Sequence, residues 1–312
     1  MLIERSNFAL ADVISINDFS LNDINFILSQ ASRLEAMRIA EKNSLLSGKV
    51  VASLFFEPST RTRLSFETAA QNLGAKVVGF SDANATSQKK GETLSDTIRM
   101  VEKYSDVIVM RHPLDGSARR AAEVSAKPVI NAGDGSNQHP TQTLLDLYTM
   151  RKEFGKIDGL KIGMLGDLKY GRTVHSLAVA LGMFEGIELY FIAPGMLKMP
   201  EHITNAIKDK VKIKESAELQ EFLPELDVLY ATRIQKERFA DPLEYERIKD
   251  VYILTKEILQ RTKSGFRIMH PLPRINEISN ELDETDAALY FQQAANGIPV
   301  REAILNTLGN EK

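Results

Sequence analysis

The sequence predicts an α/β protein built from two doubly wound domains with mostly parallel sheets. Three observations predict it. Apolar runs of strand length alternate with helix-period patterns from residue 50 onward. The alternation starts afresh after Gly155 and the Asp158-Gly159 turn, with no sequence repeat behind it. And 312 residues are enough for two cores of ordinary size.

The first element is an amphipathic helix over 21–38. Leu21, Ile24, Ile27, Leu28, Ala31 and Leu34 share one face, Ser20 suits the N-cap and Asp23 the first turn. Strands are expected at 50–56, 77–80, 106–110 and 127–131, with helices at 59–73, 91–103, 116–125 and 140–153. The second series has strands at 161–165, 187–192, 211–213, 226–231, 251–254 and 266–269, with helical stretches between them. A last helix, 296–308, puts Val300, Ala303, Ile304 and Leu308 on one face, Pro299 in its first turn and Gly309 at its end. The expected domains are therefore 1–150 and 151–290, followed by a C-terminal segment, 291–312.

Composition narrows the function. A net charge of −3, with 26% charged and 43% hydrophobic residues, fits a globular protein in water and argues against general affinity for nucleic acid or an anionic membrane. Any anion site must be local. No apolar stretch approaches 18 residues and the N-terminus has no basic segment followed by an apolar one, so a cytoplasmic protein is expected. With no cysteine there is no thiol nucleophile, disulfide or Cys-based zinc site, and the five histidines show no ligand spacing with carboxylates. Neither metal nor cofactor is expected.

Three polar clusters then follow strand candidates of the first domain. Ser59-Thr60-Arg61-Thr62-Arg63 opens a helix whose apolar face is Phe66, Ala69, Ala70 and Leu73. A helix N-terminus at the carboxyl end of a parallel strand presents unpaired N–H groups to an anion, and hydroxyls with a guanidinium would complete a phosphate cradle. Ordinary helix capping is the plain alternative, and spacing leaves open which arginine faces a ligand. Asn137-Gln138-His139-Pro140-Thr141-Gln142 begins another helix, where His139 can polarise a carbonyl, act as a base, or simply fix the loop. Arg111-His112-Pro113 is the third cluster. Three donor-rich strand ends in one sheet can face one crevice. The polar loop 81–91, with Ser87, Lys89 and Lys90, is either a solvated connection or a functional lid.

In the second domain, Gly166 to Thr173 lacks the G-x-G-x-x-G spacing of a dinucleotide turn, so a nicotinamide cofactor is not expected, whereas Arg172 suits a carboxylate. Arg233-Ile234-Gln235 follows another strand. His270-Pro271-Leu272-Pro273-Arg274 follows a third, its prolines fixing a backbone whose carbonyls can accept from an amine, or serving rigidity alone.

This set of motifs resembles the catalytic chains of the aspartate carbamoyltransferase family, from about residue 8 to residue 308. S-T-R-T-R at 59–63 and H-P-x-Q at 139–142 are motifs of carbamoyltransferases at large, while H-P-L-P-R at 270–274 and Arg233-Ile234-Gln235 resemble the aspartate branch. Ornithine-type enzymes resemble one another in a cysteine at the turn matching 270–273, and this chain has none.

The resemblance implies the carbamoyltransferase fold, a first domain for carbamoyl phosphate, a second for L-aspartate, and a C-terminal helix returning to the first. It implies that Ser59, Thr60, Arg61 and Thr62 hold the phosphate, that Arg111 bridges phosphate and carbonyl, that His139 donates to the carbonyl oxygen and that Gln142 binds the carbamoyl NH2. Arg172, Arg233 and Gln235 would take the carboxylates of aspartate, with the carbonyls of Pro271 and Leu272 near its amine. Ser87 and Lys90 would reach a neighbouring subunit's site, making a homotrimer the smallest complete unit. The loop is one residue shorter before Lys89-Lys90 than the family pattern. Glu57 and Arg238 match positions whose ion pairs accompany domain closure. The implied reaction yields N-carbamoyl-L-aspartate and phosphate, in pyrimidine biosynthesis, through Arg61, Thr62, Lys90, Arg111 and His139 as the catalytic set. A carbamoyltransferase for ornithine and a catalytically silent binding subunit are the alternatives, and a regulatory chain or pathway-enzyme partner is left open.

Overall fold

The computed structural model describes residues 8–82, 86–234, 241–248 and 250–310. The chain forms two compact units, one of residues 1–148 with 296–312 and the other of 149–295. The terminal segment that joins the first unit therefore starts at Asn296, five residues later than expected.

In the first unit, β1 (Val50–Phe55), β2 (Lys76–Phe80), β3 (Val107–His112) and β4 (Val129–Asp134) pair in parallel in the order β2-β1-β3-β4. α1 (Leu21–Ala36) and α2 (Ile39–Lys42) precede the sheet. α3 (Thr60–Asn72), α4 (Leu94–Val101) and α5 (Ser117–Val124) connect its strands, and α6 (Pro140–Phe154) follows. Right-handed crossovers leave β1 and β3 in opposite directions, so the connecting helices cover both faces of the sheet. That two-sided cover explains why β1 and β3 read as nearly continuous apolar runs, with Ala52, Leu54, Ile108, Met110 and Val129 of β4 buried in one core. β2 lies at an edge and is largely exposed. At the other edge, Val13 bridges to Ile130 and covers the open side of β4.

α1 starts where the sequence places it. Ser20 Oγ accepts from the Asp23 amide at 3.2 Å, and the Asp23 carboxylate accepts from the Ser20 amide at 2.9 Å. This reciprocal pair satisfies two donors that a helix start leaves without partners.

The second unit holds β5 (Lys161–Leu165), β6 (Glu188–Ile192), β7 (Lys212–Ser216), β8 (Val228–Ala231) and β9 (Arg267–Met269) in the parallel order β7-β6-β5-β8-β9. α7 (Arg172–Leu181), α8 (Glu201–Ile207), α9 (Pro242–Ile248) and α10 (Tyr290–Ala295) are its helices. One expected strand is absent. Over 251–254 only Leu254 makes a bridge, to Ile278, because Leu254 enters the core while Val251 and Ile253 stay exposed and a 3-10 helix follows at Lys256–Arg261. The apolar run marks one anchored residue.

α11 (Gly297–Gly309) also departs from expectation. It is buried on every side, since it packs against both α1 and α3. Two of its charged residues have partners of their own. Glu302 accepts from Lys42 at 2.8 Å and from Asn72 at 2.7 Å, while the Arg301 guanidinium lies 4.9 Å from the Phe66 ring centre. Breaking a buried pair such as Lys42–Glu302 costs about 3–5 kcal/mol, so the charge fixes α11 against α2 and α3.

Candidate active site

In an open parallel sheet, ligands bind beyond the carboxyl ends of the strands where the order reverses. In the first unit that point lies between β1 and β3. Their ends are stitched together by the Phe56 amide, which donates to the Arg111 carbonyl at 2.9 Å. Arg111, near the end of β3, lies opposite Phe55, and its Nε donates to Glu57 at 2.7 Å. Glu57, expected in domain closure, is thus committed to Arg111 inside the first unit.

α3 begins at the same strand end. Ser59 occupies its N-cap position, yet the Ser59 hydroxyl makes no capping hydrogen bond. Capping therefore does not account for it. Thr62 is buried, and Thr60 and Arg61 are exposed. Although the residue is largely exposed, partial desolvation of its guanidinium by neighbouring protein lowers the Arg61 pKa below its ordinary value, and the positive charge of Arg111 lowers it further. Two guanidiniums within each other's field near a helix N-terminus make the local potential positive, which favours an anion there. Arg63 instead pairs with Glu67 at 3.2 Å, which separates the two arginines that spacing alone could not.

His139 and Gln142 stand at the start of α6, after β4. The connection is shaped by Asp134, which is fully buried. Its carboxylate accepts from the amides of Gly116 at 2.9 Å and Gln138 at 3.0 Å, and from the side chains of Asn131 at 2.9 Å and Asn137 at 3.0 Å. A carboxylate with four donors locks the turn that leads into His139. His139 is buried and Gln142 half-buried, with Gln142 Nε2 donating to Asp146 at 2.9 Å. The neighbouring His112 is held below its usual pKa by burial, against the raising effect of Glu57 and Asp134. Ser87 and Lys90 are exposed on a 3-10 turn between β2 and α4.

The reversal point of the second unit lies between β5 and β8. Thr232 ties the two strand ends together. Its amide donates to the Leu165 carbonyl at 2.8 Å, and its hydroxyl accepts from the Asp167 amide at 3.1 Å. Gly166 passes so close, at φ +109°, that a Cβ would sit 2.4 Å from the Thr232 carbonyl oxygen. Arg172 starts α7 after this turn, and Arg233 follows β8, where it lines a pocket with Gly166, Thr232, Tyr245 and Glu277. Gln235 and Arg238 lie outside the described residues.

Pro271 and Leu272 follow β9, beside β8. Leu272 takes a positive φ of 52° and its amide donates to His270 Nδ1 at 2.8 Å. That bond makes Nδ1 the acceptor, so the proton is on Nε2, which faces the Glu277 carboxylate at 2.9 Å. Glu277 also accepts from the amides of Ile275 and Asn276. Burial raises its pKa, but the His270 and backbone donors outweigh that and leave it below the ordinary carboxylate value. Arg274 is engaged with Asp283, Tyr290 and Asn280, so it braces the turn. Asp134, Glu277 and Asp146 were not foreseen, because their partners are chosen by turn geometry and helix register.

Residues 11–152 match the carbamoyl-P binding domain of the aspartate/ornithine carbamoyltransferases, and residues 158–308 match their Asp/Orn binding domain. The aspartate carbamoyltransferase catalytic subunit of Thermococcus kodakarensis is 60% identical over 302 residues, spanning 96% of this chain and 97% of its own. That of Methanopyrus kandleri is 52% identical over 305 residues, spanning 97% and 98%. Among solved structures, the catalytic subunit of M. jannaschii aspartate transcarbamoylase superposes with a TM-score of 0.90 at 51% identity, covering 96% of this chain and 98% of its own. Aspartate transcarbamoylase from Trypanosoma cruzi in complex with carbamoyl phosphate and aspartate gives 0.90 at 38% identity, covering 97% and 98%. With both domain matches in chain order and such identity across nearly its whole length, the chain belongs to the aspartate/ornithine carbamoyltransferase family, among the catalytic subunits of aspartate carbamoyltransferase.

Proposed function

We infer that the chain transfers the carbamoyl group of carbamoyl phosphate to the α-amine of L-aspartate, giving N-carbamoyl-L-aspartate and phosphate in pyrimidine biosynthesis. The unprotonated amine attacks the carbamoyl carbon, a tetrahedral oxyanion forms, one N–H proton of the attacking amine passes to the phosphate group, and the C–O bond to phosphate breaks as the carbonyl returns. The observation that carries the phosphate half is the pair Arg61 and Arg111 at one strand end, with the Ser59 hydroxyl not used in capping.

Ser59, Thr60, Arg61 and Thr62 take the phosphate. Arg111 reaches phosphate and carbonyl, His139 donates to the carbonyl oxygen, and Gln142 binds the NH2. Each donor aimed at the developing oxyanion is worth about 3–4 kcal/mol, and holding the reactants in line about 7–11 kcal/mol. Arg172, Arg233 and Gln235 take the carboxylates of aspartate, and the carbonyls of Pro271 and Leu272 receive its amine. Two arginines in that half favour a dicarboxylate and repel the second amine of ornithine. Ser87 and Lys90 complete the site of a neighbouring subunit in a homotrimer, a role for which their exposure on a loop is suited. The reaction is assigned to the cytoplasm. Among the described residues, no helix is long and apolar enough to cross a membrane.

N-(phosphonacetyl)-L-aspartate joins a phosphonate to an aspartate, and a complex of the Trypanosoma cruzi enzyme contains it. It should bind this protein at one site per chain by calorimetry, at least about a hundredfold more tightly than phosphonoacetate alone, because one molecule engages both sets of arginines. Equal affinity for the two compounds would remove the aspartate half of the reading.

A further inference from the structure

Gln142 is asked to recognise an NH2 group, and an amide side chain offers either an acceptor or two donors, depending on how it is turned. Only the acceptor end can receive the N–H of a carbamoyl group. The structure supplies a reason for one orientation. Asp146 lies one helical turn beyond Gln142 on α6, is fully buried, and accepts from Gln142 Nε2 at 2.9 Å. An ionised carboxylate has no proton to give, so Gln142 can face it only with its NH2. The oxygen Oε1 is then directed away from Asp146.

The charge of Asp146 is supported from α11. Arg301, buried on α11, lies within its electrostatic reach. Burial pushes the Arg301 guanidinium down to about 10, while the charge of Asp146 opposes that fall.

We propose that Asp146 is a positioning residue for substrate selection: it fixes the amide of Gln142 so that Oε1 accepts from the carbamoyl NH2, and so distinguishes a carbamoyl from an acetyl group. This rests on the assignment of Gln142 made above. D146N removes the fixed acceptor. Its new amide can offer Gln142 either an oxygen or an NH2, so Gln142 is no longer held in one orientation and can present donors to the carbamoyl NH2.

The test compares carbamoyl phosphate with acetyl phosphate, which carries a methyl group in place of the NH2, by equilibrium binding to the whole protein. D146N should weaken carbamoyl phosphate about tenfold, the worth of one well-made hydrogen bond, and leave acetyl phosphate within about twofold. In a Q142A background the same substitution should have no further effect on carbamoyl phosphate, since Asp146 acts through Gln142. D146A also removes the fixed acceptor, leaving the Gln142 amide free to turn, and should weaken carbamoyl phosphate selectively as well, should D146N fail to fold. Equal loss for both ligands, no loss for carbamoyl phosphate, or full additivity with Q142A would each overturn the proposal. If the unaltered protein and Q142A select carbamoyl phosphate equally well, the Gln142 assignment itself fails, and the proposal with it.

Discussion

Arg61→Ala should lower kcat by about a thousandfold without lowering the melting temperature. Arg61 stands at the first turn of α3, at the strand end shared with Arg111, and its charge is needed where the phosphate leaving group gathers negative charge. Loss of one preorganised donor to a developing anion typically costs about 10²–10³ in rate, and here a full positive charge goes with it. The stability prediction follows from the same geometry. Before substrate arrives, Arg61 is depressed by burial and by Arg111, so removing it relieves repulsion. Sites that gather like charges for a ligand are less stable for it. Steady-state rates and a thermal melt on one preparation check both claims. A near-normal rate would contradict the assignment, and a large fall in melting temperature would show that Arg61 is structural.

Arg233→Ala should raise KM for aspartate about a hundredfold and leave carbamoyl phosphate binding unchanged. Arg233 follows β8 at the reversal point of the second sheet, while Ser59 to Thr62 and Arg111, proposed to hold the phosphate, belong to the first unit. Truncating one partner of a close charge pair costs about 2–5 kcal/mol. Arg233→Lys should recover only part of the loss, because an ammonium cannot reproduce the two parallel bonds of a guanidinium to a carboxylate. Separate titrations of the two substrates give the answer. A matching loss of carbamoyl phosphate affinity would place Arg233 in the wrong half of the chemistry.

The fold was legible wherever burial is two-sided. β1, β3 and β8 sit in sheet interiors and read as continuous apolar runs, and the capping box of α1 could be recognised from Ser20 and Asp23 alone. Reading failed where context overrode pattern. The 251–254 segment is apolar because Leu254 anchors a loop, and α11 carries Arg301 and Glu302 on what periodicity assigns to solvent. Their partners, Phe66, Lys42 and Asn72, lie more than 200 positions away. At the site, S-T-R-T-R and H-P-x-Q announce an anion and a carbonyl. The roles within them came from family resemblance, which already favoured Arg61 over Arg63, and the structure adds that Arg63 is paired with Glu67. Asp146 was within reach of the sequence, four residues after Gln142 on an expected helix, but nothing in that spacing says which end of the amide is held. Glu277 and Asp134 were out of reach, because a buried carboxylate collecting backbone amides depends on how the turn closes.

The most direct measurement offers carbamoyl phosphate to the purified protein with no added metal, together with L-aspartate or L-ornithine, and follows both the carbamoylated amine and phosphate. The account predicts equal amounts of N-carbamoyl-L-aspartate and phosphate with aspartate, and no carbamoylated product with ornithine. Product with ornithine would contradict the roles of Arg172, Arg233 and the 270–274 turn, and no product with either amine would contradict carbamoyl transfer by this chain.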